Sequence, residues 1–164
     1  MSVTARIRAD LRRASREAAS RTKDFSTPPI PVLDIAETSG VDVVFDPFSQ
    51  YSGRVSGFCD FAERRIYVND DDSFERQRFT IAHELGHWVL HRELFESEPQ
   101  RYAVLPRFSS PDFSDPIEQE ANRFAADLLV PSHLLRPVKD VPPARLASIF
   151  EVSRQMMEIR LKRV

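Results

Sequence analysis

The segment Phe79-Thr80-Ile81-Ala82-His83-Glu84-Leu85-Gly86-His87-Trp88-Val89-Leu90-His91 constrains this chain more than any other. It lies in a stretch from Phe74 to His91 that holds no proline and only Gly86 as an internal break, with Ser73 in place as N-cap. The spacing therefore predicts one long helix. On a helix, residues four apart share a face with Cβ atoms about 5 to 6 Å apart, so His83 and His87 can aim both imidazoles at one point. Such a point suits a zinc ion, which takes neutral imidazole nitrogen at about 2.0 to 2.1 Å. Glu84 projects about 100° round the axis from His83, where it reaches a water held at the ion rather than the ion itself. That is the position of a general base. Gly86 is worth about 1 kcal/mol less than alanine in a helix, which predicts that something approaches the backbone closely there.

A catalytic zinc takes three protein ligands and keeps a fourth position for water. His91, Glu118 and Glu120 are the candidates for the third. His91 stands two turns, roughly 12 Å, along the axis from His83, so it reads as core, as support for a ligand ring or as a substrate contact. Asp115-Pro116 opens a second helix that should run to about Val130. On it Glu118 and Asn122 share a face, with a carboxylate to ligate and an amide one turn later to fix a histidine ring. Ala121 and Ala125 are small enough to let this helix pack closely on the first. A second account fits the same residues. Asp115-Pro116-Ile117-Glu118 has the spacing of a capping box, in which Glu118 would turn back to the N-cap backbone donor. On the residues alone both accounts stay open.

The rest of the chain supplies a scaffold. Its 164 residues are 41% hydrophobic and 29% charged with a formal charge of −2, enough for a globular core, while Gly 4 against Pro 12 implies stiff connections. Cys59 is the single cysteine, which precludes an intrachain disulfide and reads as a small buried hydrophobe. No run approaches the roughly 18 apolar residues of a membrane span and no secretory signal is visible, so a cytoplasmic protein away from membranes is expected. Residues 1–26 form a basic amphipathic helix on the stripe Val3, Ile7, Leu11, Ala14 and Ala18, set apart from a single domain over residues 27–164. A short helix from Pro31 to Thr38 leads to strands at Val41–Phe45, Arg54–Phe61 and Arg64–Val68. From Arg92 to Ser114 the sequence is polar and proline-punctuated, which predicts a long loop. Helices at Pro143–Phe150 and Ser153–Arg163 close the chain. The fold class is α+β, a small sheet packed on two active-site helices, with a helix-turn-helix-like end over residues 142–164.

Four ordered blocks then resemble the ImmA/IrrE family of metallopeptidases. They are Arg65-Ile66-Tyr67-Val68-Asn69; Arg78-Phe79-Thr80-Ile81-Ala82-His83-Glu84-Leu85-Gly86-His87; Glu118-x-x-Ala121-Asn122-x-Phe124-Ala125-Ala126-x-Leu128-Leu129-Val130-Pro131; and Leu146-Ala147-x-x-Phe150-x-Val152-Ser153-x-x-x-Met157-x-x-Arg160-Leu161. The resemblance implies a zincin-like zinc endopeptidase with His83 and His87 as ligands, Glu84 as catalytic base and Glu118, rather than Glu120, as third ligand. It also implies a substrate class, a helix-turn-helix repressor encoded beside the peptidase, whose cleavage lifts repression. Manganese or another divalent ion is the alternative to zinc. The strand Arg65 to Asn69 is a candidate edge on which an extended substrate pairs. For a second oxyanion donor Tyr51, Tyr102, His91 and several arginines are equally eligible.

Two rival functions remain at this level. Arg145, Arg154, Arg160, Lys162 and Arg163 outnumber Glu151 and Glu158 in the C-terminal segment, which suits a DNA-binding regulator. Against it, Glu151 stands where helix-turn-helix turns favour glycine, and Met156, Met157 and Ile159 look like packing rather than base-edge readout. An inactive zinc-binding adaptor is the other rival. The intact Glu84 argues against it, because a structural site needs no base and is usually closed by four ligands.

Overall fold

A computed structural model describes residues 26–48, 55–98, 107–108 and 115–164. The expected N-terminal helix, Tyr51, Tyr102 and much of the 92–114 stretch lie outside the described residues. The described chain forms helix α1 (Val32–Thr38), strands β1 (Asp42–Asp46), β2 (Val55–Asp60) and β3 (Arg65–Asn69), helix α2 (Phe74–Ser97), strand β4 (Arg107–Phe108) and helix α3 (Pro116–Leu129). Helix α4 (Ser132–Leu135), a 3₁₀ turn at Arg136–Val138, and helices α5 (Pro143–Phe150) and α6 (Arg154–Leu161) complete it. This is the expected α+β class.

The four strands lie in the order β1-β3-β2-β4. β1 runs parallel to β3, with Asp42 opposite Arg65 and Asp46 opposite Asn69, while β2 is antiparallel to both β3 and β4. β3 is therefore paired on both sides, and the expectation that Arg65, Ile66, Tyr67, Val68 and Asn69 offer a free edge is corrected. Their backbone donors and acceptors are already used by β1 and β2, so an added strand finds no ladder there.

Helix α2 starts where its cap predicts, with Ser73 Oγ accepting from the Arg76 amide at 3.3 Å. It ends later than predicted, at Ser97 and not His91. A tertiary contact carries it on, since Phe95 is buried and stacks on Phe61 at 4.7 Å between centroids, and within the helix the Arg92 guanidinium lies 4.5 Å from the Trp88 ring centre one turn back. The helix stops as Pro99 approaches, since a residue before proline is pushed out of the helical region.

Every residue from Thr80 to Trp88 is buried, so α2 is covered all round and not on one stripe. Ile81 and Leu85 join a continuous core with Ile30 and Ile35 near α1, Ile66 and Val68 of β3, and Phe124, Leu128 and Leu129 of α3. Leu146, Phe150 and Met157 extend that core into the C-terminal helices. The segment expected to be helix-turn-helix-like holds two eight-residue helices joined through Glu151, Val152 and Ser153. Glu151 adopts the left-handed conformation, φ 54° and ψ 49°, at the position where glycine is favoured. Its carbonyl oxygen accepts from Arg78 Nε at 3.1 Å, and Arg78 Nη2 donates to the Ile30 carbonyl at 2.8 Å, so one buried guanidinium ties α2 to both ends of the described chain.

Candidate metal centre

Two close approaches set the position of α2. A Cβ on Gly57 would meet the Tyr67 carbonyl oxygen and lie 2.5 Å from Thr80 Cγ2, so this glycine lets α2 settle onto β2. A Cβ on Gly86 would lie 3.1 Å from Phe124 Cδ1 and 3.3 Å from Ala121 Cα. The close neighbour that Gly86 predicts is thus α3, where the small Ala121 lies against it and Ala125, one turn on, is likewise fully buried.

That spacing brings three side chains together. Glu118 Oε2 is 3.0 Å from His83 Nε2, Glu118 Oε1 is 3.0 Å from His87 Nε2, and the two Nε2 atoms are 3.1 Å apart. One ligand atom from each of His83, His87 and Glu118 lies within 4.8 Å of the others. Tetrahedral donors at zinc distances are separated by about 3.3 Å, so a divalent ion fits among these atoms with shifts of a few tenths of an ångström. The donor chemistry fits too, since two imidazole nitrogens and a carboxylate are the ligand types that zinc and similar divalent ions take. Burial would raise the Glu118 carboxyl, but hydrogen bonds and charge from His83 and His87 outweigh it and hold that group well below the usual carboxylate range.

Asp115 Oδ1 caps the helix by accepting from the Ile117 amide at 2.9 Å, while both Glu118 oxygens face the imidazoles. Asn122 stands where expected, its Oδ1 2.8 Å from His83 Nδ1. Glu84 is buried at 4% exposure, and burial first and then the Glu84 charge push the Cys59 thiol up.

His91 and Glu120, the other candidates for third ligand, are not in the cluster. They pair with each other: His91 Nε2 lies 2.8 Å from Glu120 Oε2, and His91 Nδ1 lies 2.9 Å from His87 Nδ1. Burial lowers the His91 pKa, opposed by its bond to Glu120 and reinforced by the neighbouring His87. The four-residue step from His87 to His91 is the same signal that pairs His83 with His87, and it is the trace of this contact in the sequence.

Two buried histidines one turn apart on α2 and a half-buried glutamate facing them from α3, with Glu84 directly after His83 in the sequence, are the pattern of metal-dependent peptidases. The family model described as the IrrE N-terminal-like domain, Peptidase_M78, matches residues 36–162, and the chain belongs to that family. The chain is similar to metallopeptidase ImmA of Bacillus subtilis (strain 168), 23% identical over 137 residues, covering 81% of this chain and 76% of that protein. Its fold is similar to a Mycobacterium tuberculosis transcriptional regulator, with a TM-score of 0.61 and 17% identity over 92% of this chain. The chain spans 45% of that regulator's length. Among the described residues no helix is long and apolar enough to cross a membrane.

Proposed function

We propose that the chain is a zinc-dependent endopeptidase that hydrolyses a peptide bond in a helix-turn-helix transcriptional repressor and thereby relieves repression in the cytoplasm. The observation that carries this reading is the convergence of ligand atoms of His83, His87 and Glu118 within 4.8 Å, with the buried Glu84 next to His83 in the sequence. His83, His87 and Glu118 would hold the ion, a donor set that suits zinc. When bound, such an ion acidifies a water and polarises a peptide carbonyl. Glu84 accepts the proton from the attacking water and returns it to the amine that leaves. Asn122 accepts from His83 Nδ1–H, which directs the lone pair of that ring to Nε2.

The repressor as substrate rests on the family resemblance, and the division into a basic segment, residues 1–26, and a peptidase domain, residues 27–164, is proposed with it. A DNA-binding role for the C-terminal helices is weaker. Arg160 is 5% exposed and spends its donors inside, on the Val130 carbonyl at 2.9 Å, Ser132 Oγ at 2.7 Å and Asp127 at 3.1 Å. The test is co-expression with the helix-turn-helix protein encoded next to this chain, read by intact-mass spectrometry. Two fragments whose masses sum to the substrate plus one water are expected, and none with Glu84→Gln. Undiminished cleavage by Glu84→Gln would refute the mechanism.

A further inference from the structure

We infer that Glu120 and His91 form a hydrogen-bonded relay that positions His87 as a metal ligand, presenting its Nε2 lone pair to the ion. The inference rests on the metal centre proposed above and adds two positioning residues to it. Its geometry is a chain of two short contacts, Glu120 Oε2 to His91 Nε2 at 2.8 Å and His91 Nδ1 to His87 Nδ1 at 2.9 Å.

The proton arrangement follows from counting donors. A carboxylate only accepts, so His91 Nε2 carries the hydrogen that meets Glu120. Between the two Nδ1 atoms there is one hydrogen, and a metal ligand must keep Nε2 bare, which leaves the hydrogen of His87 on Nδ1. His87 therefore donates, and His91 Nδ1 accepts. The opposite arrangement, with His91 donating, would place the His87 hydrogen on Nε2 and block the ion.

The two ligand rings are thus held differently. His83 leans on the neutral amide of Asn122, whereas His87 leans on an imidazole that is itself polarised by a carboxylate. Polarisation along such a chain raises the basicity of the terminal nitrogen, and outer partners of this kind are worth about 10- to 100-fold in metal affinity. His91 is 5% exposed and also packs near Phe95, so simple core filling is the competing role. Core filling has no use for the acceptor on Nδ1.

The experiment compares the full chain with His91→Asn, His91→Leu and Glu120→Gln. Each protein is stripped of metal, titrated with Zn2+ against a chromogenic chelator, and melted in the stripped state. His91→Leu should bind zinc about 10- to 100-fold more weakly, and His91→Asn, whose side-chain oxygen falls near the place of Nδ1, should recover most of the loss. Glu120→Gln should weaken binding in the same direction with an unchanged melting temperature. Zinc affinities of His91→Leu and Glu120→Gln within twofold of wild type would overturn the relay, as would His91→Asn binding as weakly as His91→Leu. Where His91→Leu does not fold, Glu120→Gln decides, together with long-range proton–nitrogen NMR of the zinc-loaded wild type. The spectrum should show His87 protonated on Nδ1 and His91 on Nε2; either tautomer reversed overturns the relay. A wild-type chain that takes up no stoichiometric zinc would remove the metal centre and the relay together, whereas normal uptake with indifferent variants removes the relay alone.

Discussion

Glu84 is the residue at which metal binding and chemistry should come apart. Glu84→Gln keeps the shape of the side chain and leaves all three ligands in place, so zinc uptake is expected to persist while cleavage falls by about 10²- to 10⁴-fold. His83→Ala should lose both, and chelator titration beside a cleavage assay checks the pair. Arg160 makes a different kind of contribution. Its guanidinium bonds to the Val130 carbonyl and Ser132 Oγ and pairs with Asp127, so Arg160→Met strands the buried carbonyl and leaves Asp127 only its longer pair with Arg123. A loss of about 2 to 3 kcal/mol is expected from chemical denaturation, with zinc ligands untouched.

Between elements, two glycines set the spacing, and they should respond unequally. Gly86→Ala gains about 1 kcal/mol of helix propensity but presses a methyl against Ala121 Cα and the fully buried Phe124. The packing cost wins narrowly, because one of the obstructing atoms is backbone, and a net loss of about 1 kcal/mol is expected. Gly57→Ala meets the Tyr67 carbonyl oxygen and Thr80 Cγ2 far inside contact distance and gains nothing in a strand, so it should cost more than Gly86→Ala in the same melting series. Local signals made much of this legible. Ser73 and Asp115 announce the starts of α2 and α3, and a four-residue step announces His83 with His87 and Glu118 with Asn122. What stayed hidden depends on long-range contacts. The last turns of α2 exist because Phe95 reaches Phe61, the interior place of β3 is a matter of strand order that alternation does not encode, and Glu120 meets His91 only across the α2–α3 packing.

At the scale of the whole molecule, a ligand that binds only the folded state stabilises it. Free zinc at 100 times its dissociation constant adds about 2.7 kcal/mol, or roughly 5 to 10 °C for a chain of this size. Thermal scans should show that gain on adding Zn2+ to stripped protein and its absence in His83→Ala. Duplex DNA should behave differently: because Arg154 is engaged with Glu158 at 2.8 Å and Arg160 is enclosed, neutralising Arg154 should leave any low-salt retention in a gel shift unchanged. The inward-facing guanidiniums Arg78 and Arg160 carry a further consequence. Arg78 leaves the helix of His83 to grip the turn at Glu151, and Arg160 reaches from the final helix to the end of the helix that bears Glu118. The last two helices therefore buttress both α2 and α3. A version trimmed at Pro142 would not be a minimal peptidase but one whose two site-bearing helices have lost their shared support.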